Sequence, residues 1–470
     1  MISLSAFLGA LMLLVHIESS EAFVCPTTLP LERQVAFQTN VGPYQLPRIK
    51  YNCIGSQTCF AKKPVSEEEQ LGDQYESIVA RYQTYTATEQ QLIKSDSLWF
   101  VAVAALQAIP FFNLSREASL GYFMVLAVVT VYLGAKRTDL ISPVAQGKPV
   151  ITGRSAALAP IVSSISLFGL YLLQKYTDLH PETLYRLVVT LFGAINASTM
   201  FGALLRSVAP SLDETKVPIP QVLEGPVPQG APDDYRAESS LSDVLGSALG
   251  CTLAALYLSP LPLSQTFICN NILAWTIAMQ SLGLITLQSF SIACTFLMGL
   301  FFYDIWWVYG TDVMMTVATK VEAPVKFLYP YSPTAIAQAA ELGTPRAYPF
   351  SVLGLGDVVI PGIFCAMMRK IDQQGFVPEK AEEGQVQEEE GLKLSYFNSA
   401  VVGYGFGLGL TFFVNQVTKA GQPALLFLVP SIISSALITA SLNNEISQLL
   451  GYNFADPKKD VDSSVKDIST

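Results

Sequence analysis

Apolar residues along this chain fall into long, nearly unbroken blocks. Nine of them approach the ~20 residues that a helix needs to cross a bilayer: 120–135, 156–174, 184–205, 244–258, 267–284, 292–309, 347–368, 396–417 and 423–441. None shows the every-second-residue alternation of barrel strands, and backbone groups in lipid must be satisfied within the segment, so helices are the expected form. The pattern predicts an all-α polytopic membrane protein with nine crossings. A further stretch, 98–112, is fifteen residues long and ends at Ile109-Pro110. It reads as an interfacial or re-entrant helix within 97–118, because on this reading a crossing there sets every later loop against the charge bias.

Composition agrees with the blocks. Of the 470 residues 51% are hydrophobic and 14% charged, and the mean hydropathy is +0.39, outside the soluble range. Loops after the first, third, seventh and ninth blocks carry fourteen Lys and Arg, Lys136, Arg137, Arg206 and Arg369 among them, and the opposite loops six. Cytosolic loops are enriched in these residues, so the first block enters the cytosol from the far side. On that reading residues 23–96 are lumenal or transit-like and the tail 446–470 cytosolic. Ile2 to Ile17 followed by Glu18-Ser-Ser-Glu-Ala22 resembles a secretory leader, residues 1–22. Phe23 and the acid-poor stretch after it also resemble a plastid-directed leader, so location is read as endoplasmic reticulum, with a plastid-associated or other endomembrane as the alternative.

The net charge of −10 comes largely from connecting segments, six glutamates lying within 379–390 alone. Such a run reads as a solvated loop, or as a docking site for a basic partner, and the net charge argues against nucleic acid as a partner. No metal or cofactor is expected. The two histidines, His16 and His180, lie in the leader and in a loop, no cysteine pair has ligand spacing, and no Gly-rich phosphate loop is present. Cys251, Cys269, Cys294 and Cys365 are expected as small buried hydrophobes. Cys53 and Cys59 are free to pair in an oxidising lumen, and Asn113 forms a glycosylation sequon close to the membrane.

Two acids stand where a membrane protein tolerates them least: Asp304 in Leu300-Phe-Phe-Tyr-Asp304 and Asp357 in Gly354-Leu-Gly-Asp357. An ionised carboxylate at the centre of a spanning helix costs roughly 2.5–3.5 kcal/mol or more, so such residues are usually functional. Brought together, two carboxylates in a poorly solvated site share a proton, one serving as acid and the other as base, which is the arrangement that activates water against a peptide carbonyl. Gly354 and Gly356 permit positive φ or close approach of another chain, and glycines in membrane helices also serve packing. Pro361 is expected to weaken the helix and expose backbone.

Three motifs then converge. Tyr303-Asp304, Gly354-Leu355-Gly356-Asp357 and, after Gln422, Pro423-Ala424-Leu425 occur in the order, spacing and membrane setting of the signal peptide peptidase family, Gly-x-Gly-Asp intramembrane aspartyl proteases related to presenilin. The resemblance covers about 119–445. It implies a nine-helix presenilin-like bundle, a catalytic pair of Asp304 and Asp357, and an active site shaped by Tyr303, Gly354, Leu355, Gly356, Gln422, Pro423, Ala424 and Leu425. It also implies transmembrane-helix substrates, chiefly remnant signal peptides and type II anchors, cut within the lipid bilayer. A homo-oligomer and membrane quality-control components are left open as partners. The N-terminal extension, the 379–390 loop and a C-terminus without a terminal dilysine depart from the family pattern. A signal-peptide-peptidase-like paralogue, a non-proteolytic quality-control factor and a proton-coupled carrier are the competing readings.

Overall fold

The computed structural model describes residues 67–112, 116–140, 150–176, 181–219, 238–311, 313, 322–330, 350–375, 393–418 and 421–453. The leader, Cys25, Cys53, Cys59, Asn113, His180, the 379–390 run and the tail beyond 453 lie outside these residues.

The chain is helical almost throughout. In order come α1 (Glu67–Ser95), α2 (Ser97–Leu106), a 3-10 turn (Ile109–Phe112), α3 (Arg116–Lys136), β1 (Val150–Ile151), α4 (Gly153–Tyr176), α5 (Pro181–Val208), β2 (Lys216–Pro218), β3 (Glu238–Ser240), α6 (Leu241–Leu258), α7 (Leu263–Leu284), β4 (Thr286–Leu287), α8 (Phe290–Tyr309), β5 (Lys326–Pro330), β6 (Phe350–Gly354), α9 (Gly356–Gln374), α10 (Tyr396–Thr418) and α11 (Leu425–Leu442). The strands form three two-stranded ladders: β1 with β4 (parallel), and β2 with β3 and β5 with β6 (antiparallel). Among the described residues seven helices are long and apolar enough to cross a membrane: α3, α5, α6, α7, α8, α10 and α11. The expected crossing at 156–174 is the helix α4 and the one at 347–368 contains α9, and neither is counted among the seven. The second is also not one helix. Its first part is strand β6, leaving thirteen residues of α9, Gly356 to Met368, before Arg369 and Lys370.

α9 is the axis of the bundle. Every residue from Gly356 to Met368 is buried, with α3, α7, α10 and α11 packed around it. The outer helices instead expose large apolar side chains such as Leu184, Phe302, Trp306, Val402, Phe406 and Phe413, as a lipid-facing surface requires. Between helices, small residues set the spacing because lipid supplies no hydrophobic force to drive them together. A Cβ on Gly246 would run into the backbone nitrogen of Gly202, so α5 and α6 touch backbone to backbone. At Gly407 a Cβ would come within 3.0 Å of the Leu428 Cα, which fixes α11 against α10. Of the four described cysteines only Cys365 is buried. Cys251 is exposed, because its side of α6 faces outward rather than into the core.

The N-terminal helices depart from expectation. Asp96, just before α2, accepts from Lys136 Nζ at 2.7 Å, Trp99 packs on Tyr132, and Gln107 Oε1 accepts from the Tyr122 hydroxyl at 3.3 Å. Pairings of 96 with 136, 99 with 132 and 107 with 122 mean that α2 and the turn after it run antiparallel along α3, from one end of the bundle toward the other. They do not lie across its surface. Residues 23–96 were expected on the side of the membrane opposite Lys136 and Arg137, yet their described part packs at the same end. Glu89 of α1 meets Arg137 at 2.5 Å with both side chains buried.

Breaking a buried ion pair on one side leaves an unanswered charge. Glu89→Ala should lower the stability of the purified protein by roughly 3 kcal/mol, while the double change Glu89→Leu with Arg137→Met should recover most of it. Thermal unfolding in detergent checks both, and a single variant as stable as the parent would show that α1 is not held by this pair.

Candidate active site

Asp304 lies in the last third of α8, a helix started by Ser289, whose hydroxyl accepts from Ile292 N–H. The residue is 3% exposed. Its Oδ2 accepts from the backbone N–H of Leu425 at 3.1 Å. That N–H is available for a local reason: Leu425 opens α11, and the first N–H groups of a helix have no partner within it. Pro423 and Ala424 supply carbonyls to the first turn, Pro423 O accepting from Leu426 and Ala424 O from Phe427 and Leu428. The Pro-Ala-Leu motif is therefore a helix start whose free donor and positive dipole end face a carboxylate.

Asp357 sits in the first turn of α9, where the dipole of its own helix favours a negative charge. It is 7% exposed. α8 packs directly on α9, and the charge of Asp357 acts on Asp304. The two acids thus share one low-dielectric site. Among the described residues no three His, Cys, Asp or Glu side chains come together.

Pro361 neither breaks α9 nor exposes it, being buried within the helix. Lacking an N–H, it cannot bond the carbonyl four residues earlier, and that carbonyl belongs to Asp357. The hydroxyl of Tyr404, on α10, donates to it at 3.2 Å. Tyr404 was missed in the sequence, where it stands as one hydroxyl among the glycines of Gly403-Tyr-Gly-Phe-Gly407.

The approach to Asp357 is a strand. Gly354 closes β6 and Gly356 opens α9, and neither has a positive φ, which among the described glycines is found at Gly375. Leu355, the joint between strand and helix, is fully buried and donates its N–H to Val325 O at 3.0 Å. Lys326 pairs with Gly354 and Leu328 with Val352 in register. Leu328 turns its N–H and C=O away from β6, to the side chain of Asn271 on α7. Since both backbone groups of a strand residue point to the same side, the β5–β6 bonds run through Phe327 and Tyr329. Val352 and Gly354 then direct theirs to the outer edge of β6. Among the described residues no hydrogen bond reaches those groups. Burial, opposed by the charge of Glu322, lowers Lys326 in this sheet to about 8.

The family model described as signal peptide peptidase matches residues 144–456, from before α4 to beyond α11. The chain belongs to the signal peptide peptidase family of intramembrane aspartyl proteases. It is 30% identical to the signal peptide peptidase of Homo sapiens over 348 residues, 72% of this chain and 84% of the human protein. A probable intramembrane protease of Schizosaccharomyces pombe is 27% identical over 69% of this chain and 91% of its own length. Intramembrane protease 2 of Caenorhabditis elegans is 37% identical over 46% of each chain.

In this family member the three motifs meet at one end of the bundle, where α8 ends and α9 and α11 begin. Gln422 bonds to neither aspartate. Its side chain accepts from the Tyr309 hydroxyl and donates to Thr418 Oγ1 at 3.1 Å, tying α8 to α10 beside the site. The hydroxyl of Tyr303, next to Asp304, is buried with no hydrogen-bond partner among the described residues.

Tyr404→Phe would leave the Asp357 carbonyl without a donor while keeping the ring. Cleavage should slow roughly tenfold, about 1.4 kcal/mol, with unchanged helical content by circular dichroism. An unaltered kcat would show that Asp357 needs no such support.

Proposed function

We propose that this protein hydrolyses peptide bonds inside transmembrane helices, with Asp304 and Asp357 as the catalytic pair. One observation carries the reading: the only two acids of the α8 and α9 cores are buried in a common site, one answered by the start of α11 and the other seated at the start of α9. A single proton is shared between them. The ionised carboxylate takes a proton from water as the water oxygen attacks the scissile carbonyl carbon, and the protonated partner gives its proton to the carbonyl oxygen. Collapse of the resulting gem-diol returns a proton to one carboxylate, protonates the departing amine and releases the new carboxyl end. Neither a covalent intermediate nor a metal enters these steps.

A helical substrate hides its carbonyls in hydrogen bonds and must unwind locally before attack, which Gly, Ser or Pro in the substrate favours. The edge of β6 that meets no partner among the described residues offers the opened segment somewhere to go. An extended substrate paired with Val352 and Gly354 adds a third strand three residues from Asp357. Remnant signal peptides and type II anchors are the substrate class, the bilayer is the medium, and self-association or quality-control partners stand as further expectations.

For placement we propose a nine-helix protease bundle, α4 and α9 joining the seven counted above, preceded by a further passage of the chain through 97–112 alongside α3, in the endoplasmic reticulum or another endomembrane. The end bearing Lys136, Arg137, Arg206, Arg369 and Lys370 faces the cytosol by its excess of positive charge. α1 is then cytosolic, and the aspartates lie toward the opposite face.

Asp304→Ala and Asp357→Ala should each abolish cleavage of a labelled type II membrane peptide while leaving the protein folded. Proteolysis that survives either change would refute the assignment. Because the singly protonated pair is the working state, the rate should trace a bell against pH whose two limbs belong to the pair jointly. A rate independent of pH from acid to neutral would rule out a shared proton.

A further inference from the structure

We infer that Asn271 is a positioning residue for cleavage: its side-chain amide takes the place of a missing strand beside β5 and so sets where a substrate is cut. The inference rests on the protease reading above and deepens it.

Asn271 is fully buried in α7. Its Nδ2 donates to Leu328 O at 2.8 Å and its Oδ1 accepts from Leu328 N–H at 2.8 Å, the two bonds that a neighbouring strand would make. The second hydrogen of Nδ2 goes to the Tyr122 hydroxyl at 3.1 Å, and the second lone pair of Oδ1 takes Asn270 Nδ2 at 3.3 Å. All four hydrogen-bonding positions of the amide are filled, which also fixes which way it faces. Asn270 extends the pattern by donating to Lys326 O at 2.7 Å. Two consecutive amides inside an apolar helix are costly unless satisfied. Here both groups of Asn271 and the donor group of Asn270 serve one edge of one strand, while Asn270 Oδ1 has no partner among the described residues.

Two consequences follow from that placement. The α7 side of β5 is closed, so an extended substrate is directed to β6, the strand that runs into Asp357. A two-stranded ladder is also marginal by itself, and a slip of one residue would turn its side chains to the opposite face. Pinning Leu328 from the side opposite β6 holds the register Leu328 with Val352 and Lys326 with Gly354, and with it the height of the docking edge relative to both carboxylates.

The amide also connects this sheet to a part of the chain outside the family match. Tyr122 of α3, whose ring lies 5.3 Å from that of Tyr329 in β5, donates from its hydroxyl to Gln107 Oε1, just past the end of α2. An unbroken series thus runs from Gln107 through Tyr122 and Asn271 to Leu328. The N-terminal segment bears on the cut site through it.

The experiment maps every bond cut in a labelled type II peptide by mass spectrometry, using the full chain in lipid nanodiscs, with binding of an aspartyl-protease transition-state isostere as the measure of a folded site. Asn271→Leu should spread cleavage over neighbouring bonds and lower kcat roughly tenfold, with a smaller change in KM. Tyr122→Phe should spread it in the same direction but less. If Asn271→Leu does not fold, Asn271→Asp keeps the acceptor for Leu328 N–H and loses both donors, and should spread the cuts likewise. A folded Asn271 variant that is slower but cuts the same bonds in the same proportions overturns the inference, since a merely structural role would change the amount of active enzyme and not the register. An unchanged pattern in Tyr122→Phe overturns the link to α2. Parent protein that fails to cleave, or cleavage that persists in Asp357→Ala, would instead overturn the protease reading itself.

Discussion

A polar group buried inside a membrane protein must find its partner in the protein, because the lipid offers none. The bond from Leu425 N–H to Asp304 is the interaction on which the rest of this architecture depends. It joins a carboxylate that lipid would not tolerate to a helix start that would otherwise waste its donors. α8 and α11 are held together at the level of Asp304, and each feature answers the other's unmet polar group. Pro361 poses the same problem in reverse, removing a donor and freeing the carbonyl of Asp357, and Tyr404 answers it from a third helix.

Small residues make these long-range answers possible. Hydrogen bonds tolerate errors of only a few tenths of an ångström, so helices that deliver donors to one another must approach at fixed distances. Gly407 lets α11 sit against α10, which places the start of α11 over Asp304 and the Tyr404 hydroxyl over Asp357. At the other end of α9, Asp372 accepts from the N–H groups of Tyr396 and Phe397, both at 2.8 Å, fixing the first turn of α10. One helix pair is thereby located at both ends, and the active site inherits its geometry from packing some distance away.

The convergence of these residues was legible in the sequence because ionised groups in apolar runs announce themselves: Asp304, Asp357 and the proline-led start at Pro423 to Leu425 could be named before any fold was known. Strand β6 could not. Residues 347–368 read as one apolar block, and a buried strand and a buried helix share that composition, so only the pairing with β5 separates them. Tyr404 and Asn271 were hidden for a different reason. Each serves a backbone group on a distant element, and nothing local to either residue says which group that is. Asn270 and Asn271 did leave a trace, as adjacent amides in the apolar run from Phe267 to Leu284, the type of exception that marked the aspartates.

The course of the N-terminal segment separates the count of charges in the loops from what was drawn from it for residues 23–96. Lys and Arg after α3, α5 and α9 mark one end of the bundle whatever precedes α3, so admitting α2 as a helix that runs the length of α3 changes no later loop. It changes only the side from which the chain arrives. Residues 67–96 then share an end with Lys136 and Arg137, and their acids explain why: Glu89 and Asp96 neutralise the two cations that close α3. With Lys136 and Arg137 answered from within by Asp96 and Glu89, α1 and the start of α2 are held to this end of the bundle by pairs within the protein rather than by contact with lipid headgroups or solvent.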